Sequence, residues 1–174
     1  MKQDGKTGWV GWPPCSGKEN NMSVQMHHRT TVLEKTFAVS PEAVFAAWAD
    51  LDKRAQWNSP SDDVKIKYKA DDFSVGGRDV SLCLVGDQIM AEVVGVYHDI
   101  VPDQRIIYTE IIKTGEGFLL GISQVSVDIS ASDTGTKMVV TLQTCATAGA
   151  EVLDEVAAGW TASMGMMEKL FAGG

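Results

Sequence analysis

One carboxylate in the 174-residue chain sits among unexpected company: Glu110, in "RIIYTEII", is surrounded by isoleucines and a tyrosine. In an extended segment, alternation places Ile106, Tyr108, Glu110 and Ile112 on one face and Arg105, Ile107, Thr109 and Ile111 on the other. If the first face lines an interior, the ionised carboxylate loses hydration and its pKa rises unless a cation joins it. Such a group is a candidate general acid or base, or an anchor for the polar end of a ligand. The alternative is a bulge or an edge position that turns Glu110 to solvent, where it would do no chemistry.

Other chemistries have no matching pattern. His27 and His28 precede the ordered text, His98 stands beside Asp99 near a strand end, and no HxxxH or HExxH spacing supports a metal site. Cys15, Cys83 and Cys145 are odd in number and far apart, so they form neither a paired framework nor a CxxC motif, and Cys83 and Cys145 read as buried free thiols. A GxSxG nucleophile turn and the phosphate-cradling glycine motifs are both missing from the sequence. No cofactor and no metal are expected.

The elements that must position Glu110 follow from the local patterns. The length fits one domain, and 44% hydrophobic with 22% charged residues is ordinary for a globular protein. Fifteen basic against 23 acidic residues leave a net charge of -8, which disfavours nucleic acid and anionic membrane surfaces. No run approaches the roughly 18 apolar residues of a membrane span, and no apolar signal core opens the chain, so a cytoplasmic protein is expected. Residues 1–28 read as a flexible extension before a domain at 29–174. The expected natural start is Met22 or Met26; alternatively Trp9 and Trp12 dock on the body as an arm.

"RTTVLEKTFAV" predicts a first strand near a sheet edge, since neither of its faces is purely apolar. In "SPEAVFAAW", Ser40 is placed as N-cap with Pro41 in the first turn, and "DLDKRAQW" continues as a second short helix ending near Trp57. Six further extended segments follow, separated by short turns such as "GDQ", "VPDQ" and "SDTG". Separators this short fit antiparallel hairpins, because parallel crossovers need a dozen or more residues. Near the C-terminus, Val152, Val156, Trp160, Met164, Met167 and Phe171 form one helical stripe. The expected fold is therefore α+β: a curved antiparallel sheet of about seven strands, its apolar face covered by the terminal helix.

"SPEAVFAAWADLDKRAQW", "DDFSVGGRD", "GVYHDIVPDQRIIYT", "GTKMVVTLQ" and the "GW" in the final helix resemble activator of heat-shock protein 90 ATPase homologue-like proteins, within the SRPBCC or START-like superfamily. The resemblance spans about Thr31 to Leu170 and implies a helix-grip fold with a hydrophobic cavity between sheet and terminal helix. It also implies binding of a small hydrophobic or amphipathic molecule, as carrier or sensor, and a link to stress response. Two positions depart from the pattern: Glu110 and Asp79 stand where relatives carry aromatic residues.

The ligand-contact candidates are Trp57, Tyr97, Tyr108, Trp160 and Met164, with Glu110 as polar handle. Trp57, Trp160 and Met164 could equally be core packing. An enzyme using Glu110 in acid-base chemistry is the second reading, and a chaperone-associated binding domain the third. The third is disfavoured because the eponymous activators join this domain to a second, N-terminal one. Homodimerisation stays open.

Overall fold

The computed structural model describes residues 25–173. Most of the expected extension, including Trp9, Trp12 and Cys15, lies outside the described residues. Ordered pairing begins two residues before the expected boundary: β1 (His27–Phe37) already pairs His27 with Ala146 and His28 with Cys145. Two short helices follow, α1 (Pro41–Ala49) and α2 (Leu51–Trp57), then β2 (Val64–Ala70), β3 (Arg78–Val85), β4 (Gln88–Val101), β5 (Arg105–Thr114), β6 (Leu119–Ser132) and β7 (Gly135–Ala146). The long helix α3 (Glu151–Ala172) ends the chain. The seven strands form one antiparallel sheet in the order β1-β7-β6-β5-β4-β3-β2, a meander with the first strand returned to its far edge. This is the α+β helix-grip architecture.

Ser40 is the N-cap residue in extended conformation, as its place before Pro41 predicts, but its hydroxyl caps no helix N–H. Instead it serves the Glu42 carboxylate and holds that group's pKa below the ordinary value. At α2 the expected kind of cap is made: the Asp50 side chain accepts from the Lys53 N–H at 3.0 Å.

Register shifts at Tyr68/Ala70, Cys83/Leu84, Tyr97/Asp99 and Ile112/Lys113 bend strands β2 to β6. The glycine pair before β3 serves this bend. Gly76 takes φ 83° and its N–H bonds the Tyr97 carbonyl at 2.8 Å, while any Cβ on Gly77 would collide with the Asp72 carbonyl.

The helix α3 meets this surface at its two ends. Val152 and Leu153 pack with Ile112, Leu120 and Ala146 in a small cluster. Met164 and Met167 join the main core, with Phe37, Trp48, Ile106, Val125, Met138 and Leu142. Between these anchors, Val156 and Trp160 belong to the same stripe yet stay only half-buried. Val156 touches both clusters and Trp160 stacks on Trp48, but this packing does not fill all the space beside the middle of the helix.

Candidate functional site

What faces it is a cavity of about 180 Å³, bounded by β2 to β5, the two short helices and the middle of α3. Directly paired residues of neighbouring strands point to the same face. Asp79 of β3 pairs with Gly95 of β4, Gly95 with Glu110 of β5, and Glu110 with Ser123 of β6. A polar row thus crosses the concave surface beneath the helix, with two carboxylates separated by one strand. Gly95 is what makes the row fit, because a Cβ there would overlap Asp79 Oδ1. The Asp79 carboxyl lies over β4 and accepts from the Tyr97 hydroxyl at 2.8 Å.

Opposite stands Arg54, carried by α2 and only 2% exposed. Its Nη1 donates to the Trp48 carbonyl and to the Tyr97 hydroxyl, each at 3.0 Å, and its Nη2 pairs with Asp71. The guanidinium also lies 5.0 Å from the Tyr68 ring centre and 5.4 Å from that of Phe73. A relay of donors therefore runs from Arg54 through Tyr97 to Asp79. Burial pushes Tyr97 far above its ordinary pKa and Tyr68 up to about 12, so both hydroxyls keep their protons.

Glu110 is 8% exposed and faces the cavity. Burial, reinforced by the charge of Asp79, pushes its carboxyl from 4.5 up to about 7, although Ser123 and Trp160 pull the other way. Asp79 is also raised, since burial outweighs Tyr97 and Arg54. The site therefore holds a carboxyl that changes charge near neutrality, which suits a proton donor, a proton acceptor or a pH-dependent anchor.

Trp57, Tyr97, Tyr108, Glu110 and Trp160 all line this one cavity. Met164 is not part of the lining: it is buried in the main core, although its neighbour Ser163 still borders the cavity. Trp57 is packed as core and also borders the cavity: its indole N–H donates to the Ala47 carbonyl at 2.8 Å, and it is part of the lining. Sequence reasoning missed Arg54 altogether and saw Asp79 only as a departure. Spacing could have found Arg54, three residues before Trp57 and so on its helix face. Asp79 could have been found by following β3's alternation through Ser81 and Cys83, all three of which line the cavity.

Of the other candidates, His98 and Cys145 lie apart from the site, whereas Cys83 is part of the cavity lining. His98 is exposed with Nε2 2.8 Å from the Thr109 hydroxyl. Cys83 and Cys145 are half-buried free thiols rather than fully interior ones, and burial pushes the Cys83 thiol up. Among the described residues there is no cluster of metal-ligating side chains, and no helix is long and apolar enough to cross a membrane.

The model of a family described as Activator of Hsp90 ATPase homolog 1-like protein matches residues 38–172. No curated protein matches the sequence. Among solved structures, an uncharacterized protein from Rhizobium leguminosarum is 26% identical with a TM-score of 0.76, covering 86% of this chain and 98% of its own. A protein from Rhizobium loti is 27% identical with a TM-score of 0.73, at 83% and 98% coverage. The AHSA1 protein of Silicibacter pomeroyi, 23% identical over 83% of this chain and 98% of its own with a TM-score of 0.69, has the same fold.

Proposed function

The chain belongs to the Activator of Hsp90 ATPase homolog 1-like family, and on that premise we propose that it holds a small hydrophobic or amphipathic molecule between the sheet and α3, as a carrier or sensor. The observation that carries this reading is the half-buried middle of an otherwise packed helix stripe. Val156 and Trp160 touch the core, Trp160 stacking on Trp48, yet both stay half-buried and line the cavity, while the turns on either side are anchored. A preformed void costs dispersion contacts and stability, so a fold that keeps one gains most when a ligand fills it. Its lining is mainly aromatic and aliphatic with a few placed polar groups, the usual composition of a small-molecule site.

Gly159 supplies the test. It lines the cavity, and a Cβ added there meets nothing within 4 Å. Gly159→Phe therefore fills the void from the helix side without displacing anything at its point of attachment. Small amphipathic molecules are titrated while the indole N–H signals of Trp48, Trp57 and Trp160 are followed by NMR. Saturable shifts in the wild type that vanish in Gly159→Phe support the container. Identical responses in both proteins, or none across a broad panel, reject it.

A second reading has one observation in its favour: the Glu110 carboxyl at about 7 is tuned for general acid-base catalysis on the bound molecule. Under it, Glu110→Gln abolishes turnover and spares much of the binding. An unchanged turnover number eliminates it.

A further inference from the structure

The charges around the cavity narrow the kind of molecule it suits; this step rests on the container reading. Three carboxylates, Asp79, Glu110 and Glu155, reach the lining, against one cation, Arg54. Arg54 is largely engaged: Nη1 and Nη2 serve Asp71, Tyr97 and the Trp48 carbonyl, and only its buried Nε has no partner. Among the described residues no salt bridge involves Glu110. Glu155, on the helix, has a buried Oε2 with no hydrogen-bond partner. Once ionised, Glu110 and Glu155 therefore present negative charge to the void, with Glu110 aided by hydrogen bonds from Ser123 and Trp160 but with no salt bridge to either acid among the described residues.

The rest of the lining suits the same charge. Six rings border the cavity: Trp48, Trp57, Tyr68, Tyr97, Tyr108 and Trp160. They are coupled, with Trp48 4.8 Å from Trp57, 6.0 Å from Trp160 and 6.3 Å from Tyr108, and Tyr97 5.6 Å from Tyr108. Aromatic faces carry a negative quadrupole and attract cations, most strongly where water is excluded. A carboxylate beside such rings adds the counter-charge. An anionic ligand would meet repulsion from the acids, and a purely apolar one would strip the carboxyls of their remaining solvation without replacing it.

We infer that the cavity takes a small organic cation, an amine or quaternary ammonium with a compact apolar body, its charged head beside Glu110 and among the aromatic rings. Val93, Ile112 and Val156 supply apolar wall for the body. The groups facing Glu110 are Asp79 from β3, Ser123 from β6, and Trp160 from α3. Arg54 from α2 and Glu155 from α3 complete the charged lining. As pH rises through about 7 the Glu110 carboxyl ionises, so affinity for a permanent cation rises with it.

The probes are choline and its uncharged isostere 3,3-dimethylbutan-1-ol, with benzyltrimethylammonium as a larger cation. Each is titrated into wild type, Glu110→Gln and Gly159→Phe at pH 8 and pH 5.5, by calorimetry and indole NMR. The expected result at pH 8 is a cation that binds at least tenfold tighter than its isostere in the wild type. That preference shrinks at pH 5.5 and in Glu110→Gln, and all binding is lost in Gly159→Phe. Equal or tighter binding of the neutral isostere at pH 8 overturns the cation assignment and leaves the container standing. A cation preference unchanged in Glu110→Gln also overturns it. Binding of all three probes that persists undiminished in Gly159→Phe counts against the container itself.

Discussion

Replacing Glu110 by Gln removes a charge that the fold holds at a cost, and the cost has a defined pH dependence. In the folded protein the carboxyl titrates at about 7 and in the unfolded chain near the ordinary 4.5. Below pH 4.5 both states are protonated and Glu110 imposes no penalty. Between 4.5 and 7 the unfolded chain releases its proton while the folded one retains it. Stability then falls as pH rises, because the folded state binds more protons. Above pH 7 the penalty is complete, at about 3 kcal/mol from the difference between the two values. Glutamine is neutral throughout, so Glu110→Gln gains on the wild type from near zero at pH 4 to about 3 kcal/mol at pH 8. That corresponds to roughly 6–12 °C in Tm for a chain of this size. Urea unfolding of both proteins at half-unit steps from pH 4 to 8.5 measures the difference, and subtraction removes most of what Asp79 contributes. Two parallel stability curves, or a gap that narrows toward alkaline pH, would refute the placement of Glu110 as a buried carboxyl without a cation.

Three further outcomes follow from the packing. Gly159→Ala adds a methyl group where a Cβ meets nothing within 4 Å and should stabilise by about 1 kcal/mol through helix propensity alone, seen as a higher urea midpoint with an unchanged slope. Met164→Ala should cost about 2–5 kcal/mol by opening the core, with ligand affinity in the surviving folded fraction unchanged because Met164 lies outside the cavity lining. Arg54→Met leaves Asp71, Tyr97 and the Trp48 carbonyl without their shared donor; the expected loss in urea unfolding is about 3 kcal/mol, and a neutral effect would mean that the guanidinium does not hold α2 to the sheet.

The elements were legible because their signals are local. Ser40-Pro41 starts α1, the spacing from Val152 to Phe171 defines α3, and connections as short as "GDQ" leave only hairpins between β2 and β7. The mixed faces of β1 correctly mark an edge strand. What alternation cannot decide is which face of a strand turns inward when both carry apolar residues. In β3, Val80, Leu82 and Leu84 make the more apolar face, yet Asp79, Ser81 and Cys83 are the residues that line the cavity. For Glu110 alternation left both faces open; the structure buries it at 8% exposure, so the solvent-facing bulge or edge alternative is the one overturned. Arg54 was hidden by a sound rule. A charged residue in a short helix is normally solvated, and only the distant Asp71 and Tyr97 make its burial tolerable. The middle of the α3 stripe misled for the related reason that periodicity marks a face without saying whether it meets atoms or empty space, so Met164 and Trp160 looked alike.

Native mass spectrometry of the protein isolated under mild conditions from the cells that make it tests the ligand site most directly. The account predicts a small adduct that stays with the wild type, is released on unfolding, and is missing from Gly159→Phe prepared in the same way. The bare mass for both proteins, or the same adduct on both, would contradict it.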